Sequence, residues 1–237
     1  MATPSFYCPD LRADTTNDNR IVTLSESESG HAIRSRRLRE GQEVNLLNGE
    51  GLTARGVICD VNKRAVSVEV IGTQQLEKTT KTLTIASAIP KGDRQKVMVD
   101  MLTQLGVTQI IPLDCEHSVT RYSNNLGDKW RRAAIESCKQ SQNPWLPMIT
   151  QGHNIEQLLK LDDFHMVYAD AQGESMNVNC AAANNIMLII GPEGGLSPNE
   201  ISLLSSQGVK SVSLGQHILR TEAAAITAAA QFAQLNG

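Results

Sequence analysis

From Leu83 onward, short apolar runs alternate with segments whose apolar residues recur at helical spacing, and that alternation admits few folds. Residues 83–88, 109–113, 166–169, 185–190 and 211–214 read as strands. Between the first two, Val97, Met98, Met101, Leu102 and Leu105 repeat at helical spacing, and Gly106 is placed to end that helix. Those five side chains read as core. Residues 128–140 and 155–161 read as further helices. Strands that each lead into a helix predict an α/β fold: a parallel sheet with helices on both faces.

Before that stretch the pattern is different. Residues 43–47, 52–59 and 65–71 alternate in a β manner, with Asn48-Gly49-Glu50-Gly51 and Asn62-Lys63 as the turns between them. They predict a small barrel or sheet. The polar stretch 73–81 has no apolar period, which places a domain boundary there: residues 1–72 form the β domain and residues 73–237 the α/β domain. A chain of 237 residues has enough length for two such cores.

Composition removes several classes of function. No apolar run approaches the length of a membrane span, and the first ten residues lack a basic start followed by an apolar stretch, so a cytoplasmic protein without a membrane partner is expected. Cys8, Cys59, Cys115, Cys138 and Cys180 are scattered and odd in number, with no paired C-x-x-C spacing, so neither a metal site nor a disulfide framework is expected. All five read as small buried hydrophobes in a reducing compartment. The net charge of -3 argues against a nucleic-acid partner, but its distribution argues for one. Arg34, Arg36, Arg37 and Arg39 crowd together, Lys91, Arg94 and Lys96 form a second group, and Lys129, Arg131 and Arg132 a third. Any one group, taken alone, reads equally well as a solvated face.

The chemistry concentrates near the C-terminus. Residues 189–200, Ile-Ile-Gly-Pro-Glu-Gly-Gly-Leu-Ser-Pro-Asn-Glu, run from a buried strand through a glycine loop into a helix. Ser197 is a helix cap, Pro198 suits the first helical position, and Glu200 completes a capping box; the helix ends near Gly208. Glycine loops at the carboxyl ends of parallel strands bind ligands because bare backbone can approach a small molecule. This loop fits neither G-x-x-x-x-G-K-[ST] nor G-x-G-x-x-G, and Glu193 would repel a polyphosphate, so a neutral or cationic ligand suits it better. Taken alone, it also reads as a structural turn.

A second strand at 209–214 delivers Gly215-Gln216-His217-Ile218-Leu219-Arg220-Thr221-Glu222 and then a helix over 223–235. The two loops together predict a pocket, with Leu214, Ile218 and Leu219 as apolar walls and Arg220 and Glu222 as a pair of opposite charges. The other reading of this pair is a helix cap, with Thr221 as the capping residue. Alanines at 223–225 and 228–230 make a thin helix that predicts close packing against the loops or a second subunit.

In these two loops and along its whole length, the chain resembles the RsmE-type enzymes of the SPOUT methyltransferase superfamily. The resemblance rests on Gly191-Pro192-Glu193-Gly194-Gly195 with Ser197 and Glu200, and on Leu214-Gly215 followed by Ile218-Leu219-Arg220-Thr221-Glu222. Gln104-Leu105-Gly106-Val107, Phe6-Tyr7 and His31 ahead of the arginine group support it. Departures lie elsewhere: that family usually has Glu at the place of Gln104, Arg within the segment of Glu116-His117-Ser118, and Glu-Gln followed by Arg near Lys139-Gln140-Ser141-Gln142-Asn143.

The resemblance implies a PUA-like RNA-binding β-barrel followed by an α/β domain whose end is tied in a trefoil knot. It implies a homodimer that uses S-adenosylmethionine to methylate N3 of one uridine in 16S ribosomal RNA of the small subunit. Leu188, Ile190, Gly191, Pro192, Glu193, Gly195, Leu214, Gly215, Ile218, Leu219, Arg220 and Thr221 would then hold the cofactor. Arg220 would stabilise the oxyanion that develops on the base, with Glu193 as proton acceptor or orienting carboxylate. Arg34, Arg36, Arg37, Arg39, Lys91 and Arg94 would meet RNA phosphates. Two other outcomes fit the same residues: a catalytically silent RNA-binding protein of this fold, and a methyltransferase for another RNA. A nucleotide hydrolase does not, because no Lys or Ser/Thr is placed for phosphate and metal.

Overall fold

The structure is a computed structural model that describes residues 3–16, 21–62, 64–176 and 183–236; Lys63 and Cys180 lie outside the described residues. It divides into two compact units, Met1–Lys78 with Ile135–Leu146, and Thr79–Ala134 with Pro147–Gly237.

The first unit is built on a five-stranded sheet ordered β1-β3-β4-β5-β2. Strands β3 (Glu43–Leu47), β4 (Leu52–Val61), β5 (Val66–Gln75) and β2 (Ile21–Thr23) pair antiparallel, while β1 (Ser5–Tyr7) lies parallel to β3. Alternation explains the pairing: Leu52, Ala54 and Ile58 on β4 and Val66, Val68 and Val70 on β5 turn to one face and are buried with Phe6, Leu11, Val44 and Leu46. Register shifts at Arg55/Gly56 and Ile58/Asp60 bend the long β4–β5 ribbon, so the sheet curls over its core. The order leaves β1 and β2 at the edges, so of the two forms expected, barrel or sheet, the strand order is that of a sheet.

The expected turn is present and tightly made. Asn48 Oδ1 accepts from Glu50 N at 2.7 Å and Leu52 N at 3.1 Å, and Gly49 and Gly51 hold φ of +82° and +86°. Any side chain at Gly51 would collide with Trp145, and Leu146 N donates to Gly49 O at 2.9 Å. Lys139 is likewise buried here, its Nζ 2.8 Å from Glu28 Oε1 and 2.7 Å from Glu136 Oε1. Glu28 belongs to the short helix α1 (Glu26–Gly30), which passes into a π turn over His31–Ser35. Sequence periodicity did not reveal this helix or the two three-residue edge strands.

The second unit carries a six-stranded sheet ordered β11-β9-β10-β6-β7-β8, in which neighbouring strands pair parallel. The strands are β6 (Thr82–Ala88), β7 (Gln109–Leu113), β8 (Met148–Ile149), β9 (His165–Ser175), β10 (Asn185–Ile190) and β11 (Lys210–Ser213). Five successive residues of β10 are buried, the mark of a strand covered on both faces. On one face Ala86, Ile111, Leu113, Met187 and Ile189 pack with Leu158 of α4 (Ile155–Leu158) and Leu204 of α5 (Pro198–Ser206). Elsewhere α6 (Thr221–Asn236) packs on α2 (Arg94–Gln104), β6 and β10. Ala225, Ala228 and Ala229 are fully buried, so the thin helix brings its backbone close to that layer. The remaining helix, α3 (Asn124–Ser141), begins in this unit and ends in the first.

One core expectation needs correction. On α2 the buried residues are Met98, Val99, Leu102 and Thr103, whereas Val97 is 51% exposed. Thr103 supplies the missing face because its hydroxyl donates to Val99 O at 2.8 Å and so enters the core with its polarity satisfied.

Candidate functional site

Because the sheet is parallel, the carboxyl ends of β9, β10 and β11 lie along one edge, and the loops that leave them meet there. The loop after β10, residues 191–197, is held at nearly every step. Gly195 adopts φ +75° and its N–H donates to Pro192 O at 2.8 Å. Ser197 caps α5: Glu200 N donates to Ser197 Oγ at 3.2 Å and Ser197 N donates to Glu200 Oε2 at 2.7 Å. The other oxygen of Glu200 accepts from Glu116 N at 3.0 Å. His117 adds a contact from the same neighbouring segment, with Nδ1 3.1 Å from Gly195 O.

The loop after β11 is more open. Residues 215–220 are all exposed, Ile218 to 90%. Three bonds hold its ends: Ser213 Oγ to Gly215 O at 3.0 Å, Gln231 Nε2 to Leu214 O at 3.2 Å, and Ala224 N to Arg220 O at 2.8 Å. Thr221 opens α6 and is buried. Its hydroxyl donates to Gly191 O at 3.2 Å and so ties the second loop to the first.

Between the loops lies a cleft. Ile190, Gly191, Pro192, Glu193, Gly195, Leu214, Gly215, Ile218, Leu219 and Thr221 all line it, as expected from sequence. Leu188 and Arg220 do not. Leu188 points to the same side of β10 as Ile190 but stands two residues deeper and is fully buried. Arg220 is turned to solvent and makes no ion pair among the described residues.

The expected Arg220–Glu222 pair is replaced by another. Glu222 Oε1 is 3.8 Å from Arg94, whose guanidinium is also 3.6 Å from Glu193. Arg220 precedes α6 and is exposed, whereas Glu222, in the first turn of that helix, has a side chain only 12% exposed. Lys91 is exposed, and its carbonyl accepts from Arg94 Nε at 3.3 Å. Arg34, Arg36, Arg37 and Arg39 are all exposed in the first unit, Arg37 with φ +53°.

Sequence reasoning missed Ala169, Asp170, Ala171, Leu196, Val212, His217 and Ala224 as cleft residues. A usable signal existed for the first three, since residues 166–169 read as a parallel strand and ligands gather where such strands end. The strand is longer than its apolar part because β9 keeps pairing with β11 through Ser175, past polar residues.

The charges on the cleft wall are instructive. Asp170 and Glu193 line it, with His217, and among the described residues no Lys or Arg does so. Glycine backbone and the aliphatic Ile190, Leu214 and Leu219 form much of the rest. Such a wall suits a ligand with a cationic centre and an apolar body, and disfavours a polyphosphate. S-adenosylmethionine, with its sulfonium, fits that description.

The described cysteines, Cys8, Cys59, Cys115 and Cys138, do not line the cleft. Burial, and secondarily the Glu200 carboxylate, push the Cys115 thiol up to about 12; burial alone does so for Cys138, also to about 12, and burial raises Cys8. Raised thiols of this kind are poor nucleophiles at neutral pH. Cys59 departs from the expectation of burial: it is exposed on β4, where alternate positions face solvent. Among the described residues no group of three or more His, Cys, Asp or Glu could hold a metal ion, and no helix is long and apolar enough to cross a membrane.

Residues 77–233 match the family described as RNA methyltransferase domain, and residues 24–71 match the RNA methyltransferase PUA domain. The chain is 35% identical over 227 residues to ribosomal RNA small subunit methyltransferase E of Rickettsia conorii, covering 90% of each protein. To the Bacillus subtilis protein of the same name it is 28% identical over 238 residues, covering 94% of this chain and 93% of that one. A methyltransferase of Legionella pneumophila, solved in complex with bound cofactor SAM, is similar over 98% of this chain and 97% of that one, with 26% identity and a TM-score of 0.89.

Proposed function

We propose, from the premise that this chain belongs to the ribosomal RNA small subunit methyltransferase E family, that it transfers a methyl group from S-adenosylmethionine to N3 of one uridine in 16S ribosomal RNA. The observation that carries the cofactor assignment is the cleft between the two loops, walled by glycine backbone, aliphatic side chains and the carboxylates of Asp170 and Glu193. When bound there, S-adenosylmethionine supplies an electrophilic methyl group.

The protein's own part is orientation and the handling of one proton. The backbone of Gly191, Gly195 and Gly215 lets the loops close on a nucleoside, and Ile190 and Leu214 offer it apolar contact. Thr221 keeps the two loops in register through Gly191 O. Arg220, exposed at the end of the second loop, meets the uracil carbonyl oxygen and stabilises its developing charge as N3 loses its proton. Glu193, at the cleft wall, accepts that proton or orients the group that does.

In the first unit Arg34, Arg36, Arg37 and Arg39 form an exposed basic turn that binds the phosphate backbone and positions the substrate without reading its sequence. Lys91 serves the same end near the cleft. The enzyme acts as a cytoplasmic homodimer without a metal, and α6 completes the trefoil knot of the family. Departures at Gln104, His117 and Lys139 fall outside the cleft wall: Lys139 is buried against Glu28 and Glu136, and His117 meets the first loop through Gly195 O.

The test is labelled methyl incorporation from S-adenosylmethionine into small ribosomal subunits that lack this modification, followed by nucleoside analysis. 3-Methyluridine is the expected product, and Arg220→Ala should lower turnover about a hundredfold while leaving cofactor affinity intact. Cofactor binding with no methyl transfer to subunits or naked RNA would overturn the assignment in favour of a silent RNA-binding protein.

A further inference from the structure

Arg94 opens α2, an element that supplies neither loop of the cleft, yet its guanidinium reaches both. It stands 3.6 Å from Oε1 of Glu193, in the loop after β10, and 3.8 Å from Oε1 of Glu222, in the first turn of α6 directly after the other loop. Its own stem is restrained, because Nε donates to Lys91 O at 3.3 Å. Glu222 needs this partner: its side chain is only 12% exposed, and Oε2 is buried with no hydrogen bond among the described residues. A carboxylate so desolvated is costly unless a cation stands near it.

The charges argue against the role that the basic run Lys91-Arg94-Lys96 first suggests. One guanidinium shared by two carboxylates leaves a local net charge of -1, which offers a phosphate no attraction. The planar fork of Arg can address two carboxylates in different directions, whereas a Lys ammonium acts as a point charge. We infer that Arg94 is a positioning residue that clamps the two walls of the cofactor cleft to α2 and sets their spacing, and that it is not a phosphate contact. The clamp itself is a matter of loop order; its consequence for the cofactor rests on the methyltransferase reading.

Two variants, Arg94→Gln and Arg94→Lys, test it with three readouts on the full-length protein. Hydrogen–deuterium exchange of peptides spanning 191–197 and 215–222 should speed up in both loops together in Arg94→Gln, since both lose the same anchor. Affinity for S-adenosylhomocysteine, used as the probe, should fall about fivefold in Arg94→Gln, and Arg94→Lys should recover only part of it. RNA affinity in the absence of cofactor, and its salt dependence, should stay as in the parent. Unchanged exchange in either loop overturns the clamp, and so does a salt slope lowered by about one with cofactor affinity intact, which would mark a phosphate contact. Failure of the parent protein to bind S-adenosylhomocysteine would overturn the methyltransferase reading instead, and exchange would still decide the clamp. Glu193→Gln, which removes one arm only, should loosen 191–197 and spare 215–222, and it serves if Arg94→Gln does not fold.

Discussion

The two loops that face each other across the cleft are built on opposite principles. The one after β10 is held by its neighbours: a capping box, a carboxylate shared with Glu116 N, a histidine on Gly195 O and an arginine on Glu193 all act within the eight residues 193–200. The one after β11 is fixed at its ends and bare between them, with Ile218 90% exposed and Leu219 37% exposed. The difference teaches how such a site divides its work. Backbone bonded to its neighbours has one shape in advance, and on the proposed reading the open loop keeps its apolar side chains for the cofactor.

That contrast can be broken most severely from beneath the open loop. Gly173 on β9 runs so close to β11 that an added Cβ would lie 2.6 Å from Val212 N. Backbone cannot yield as a side chain can, so Gly173→Val should dislodge β11 and the loop it carries. A stability loss of about 3 kcal/mol in urea unfolding is expected, with loss of cofactor binding.

The anchored loop should respond in stability first. Glu200→Ala removes the acceptor of two backbone N–H groups, Ser197 at 2.7 Å and Glu116 at 3.0 Å, and should cost about 1–2 kcal/mol by denaturant titration. The bare loop should show the reverse. Ile218→Ser should change stability by less than about 0.5 kcal/mol, because the side chain is already in water, yet weaken S-adenosylhomocysteine binding severalfold by calorimetry. Equal stability losses in these last two variants would erase the distinction between the loops.

Legibility followed the same division between local and distant causes. The strands at 43–47, 109–113 and 185–190 have in the structure the bounds that alternation and apolar runs imply, because burial on one or both faces is written directly in residue order. The Ser197–Pro198–Glu200 cap was equally plain, since all its partners lie within four residues. The edge strands β1 and β2 were not, because three residues carry no readable period. The polar end of β9 stayed hidden for a related reason: it is a strand only by virtue of pairing with β11, far along the chain.

Residue order alone therefore determined the central strands of both sheets and where the two glycine loops fall, because each depends on periods and backbone freedoms of a few neighbouring residues. Tertiary structure alone decided the partners of charge. It set Glu222 against Arg94 instead of Arg220, left Arg220 exposed without an ion pair among the described residues, and buried Lys139 against Glu28. Coulombic pairing depends on distances of a few ångströms between groups that the chain holds far apart, and only the folded sheet closes those distances.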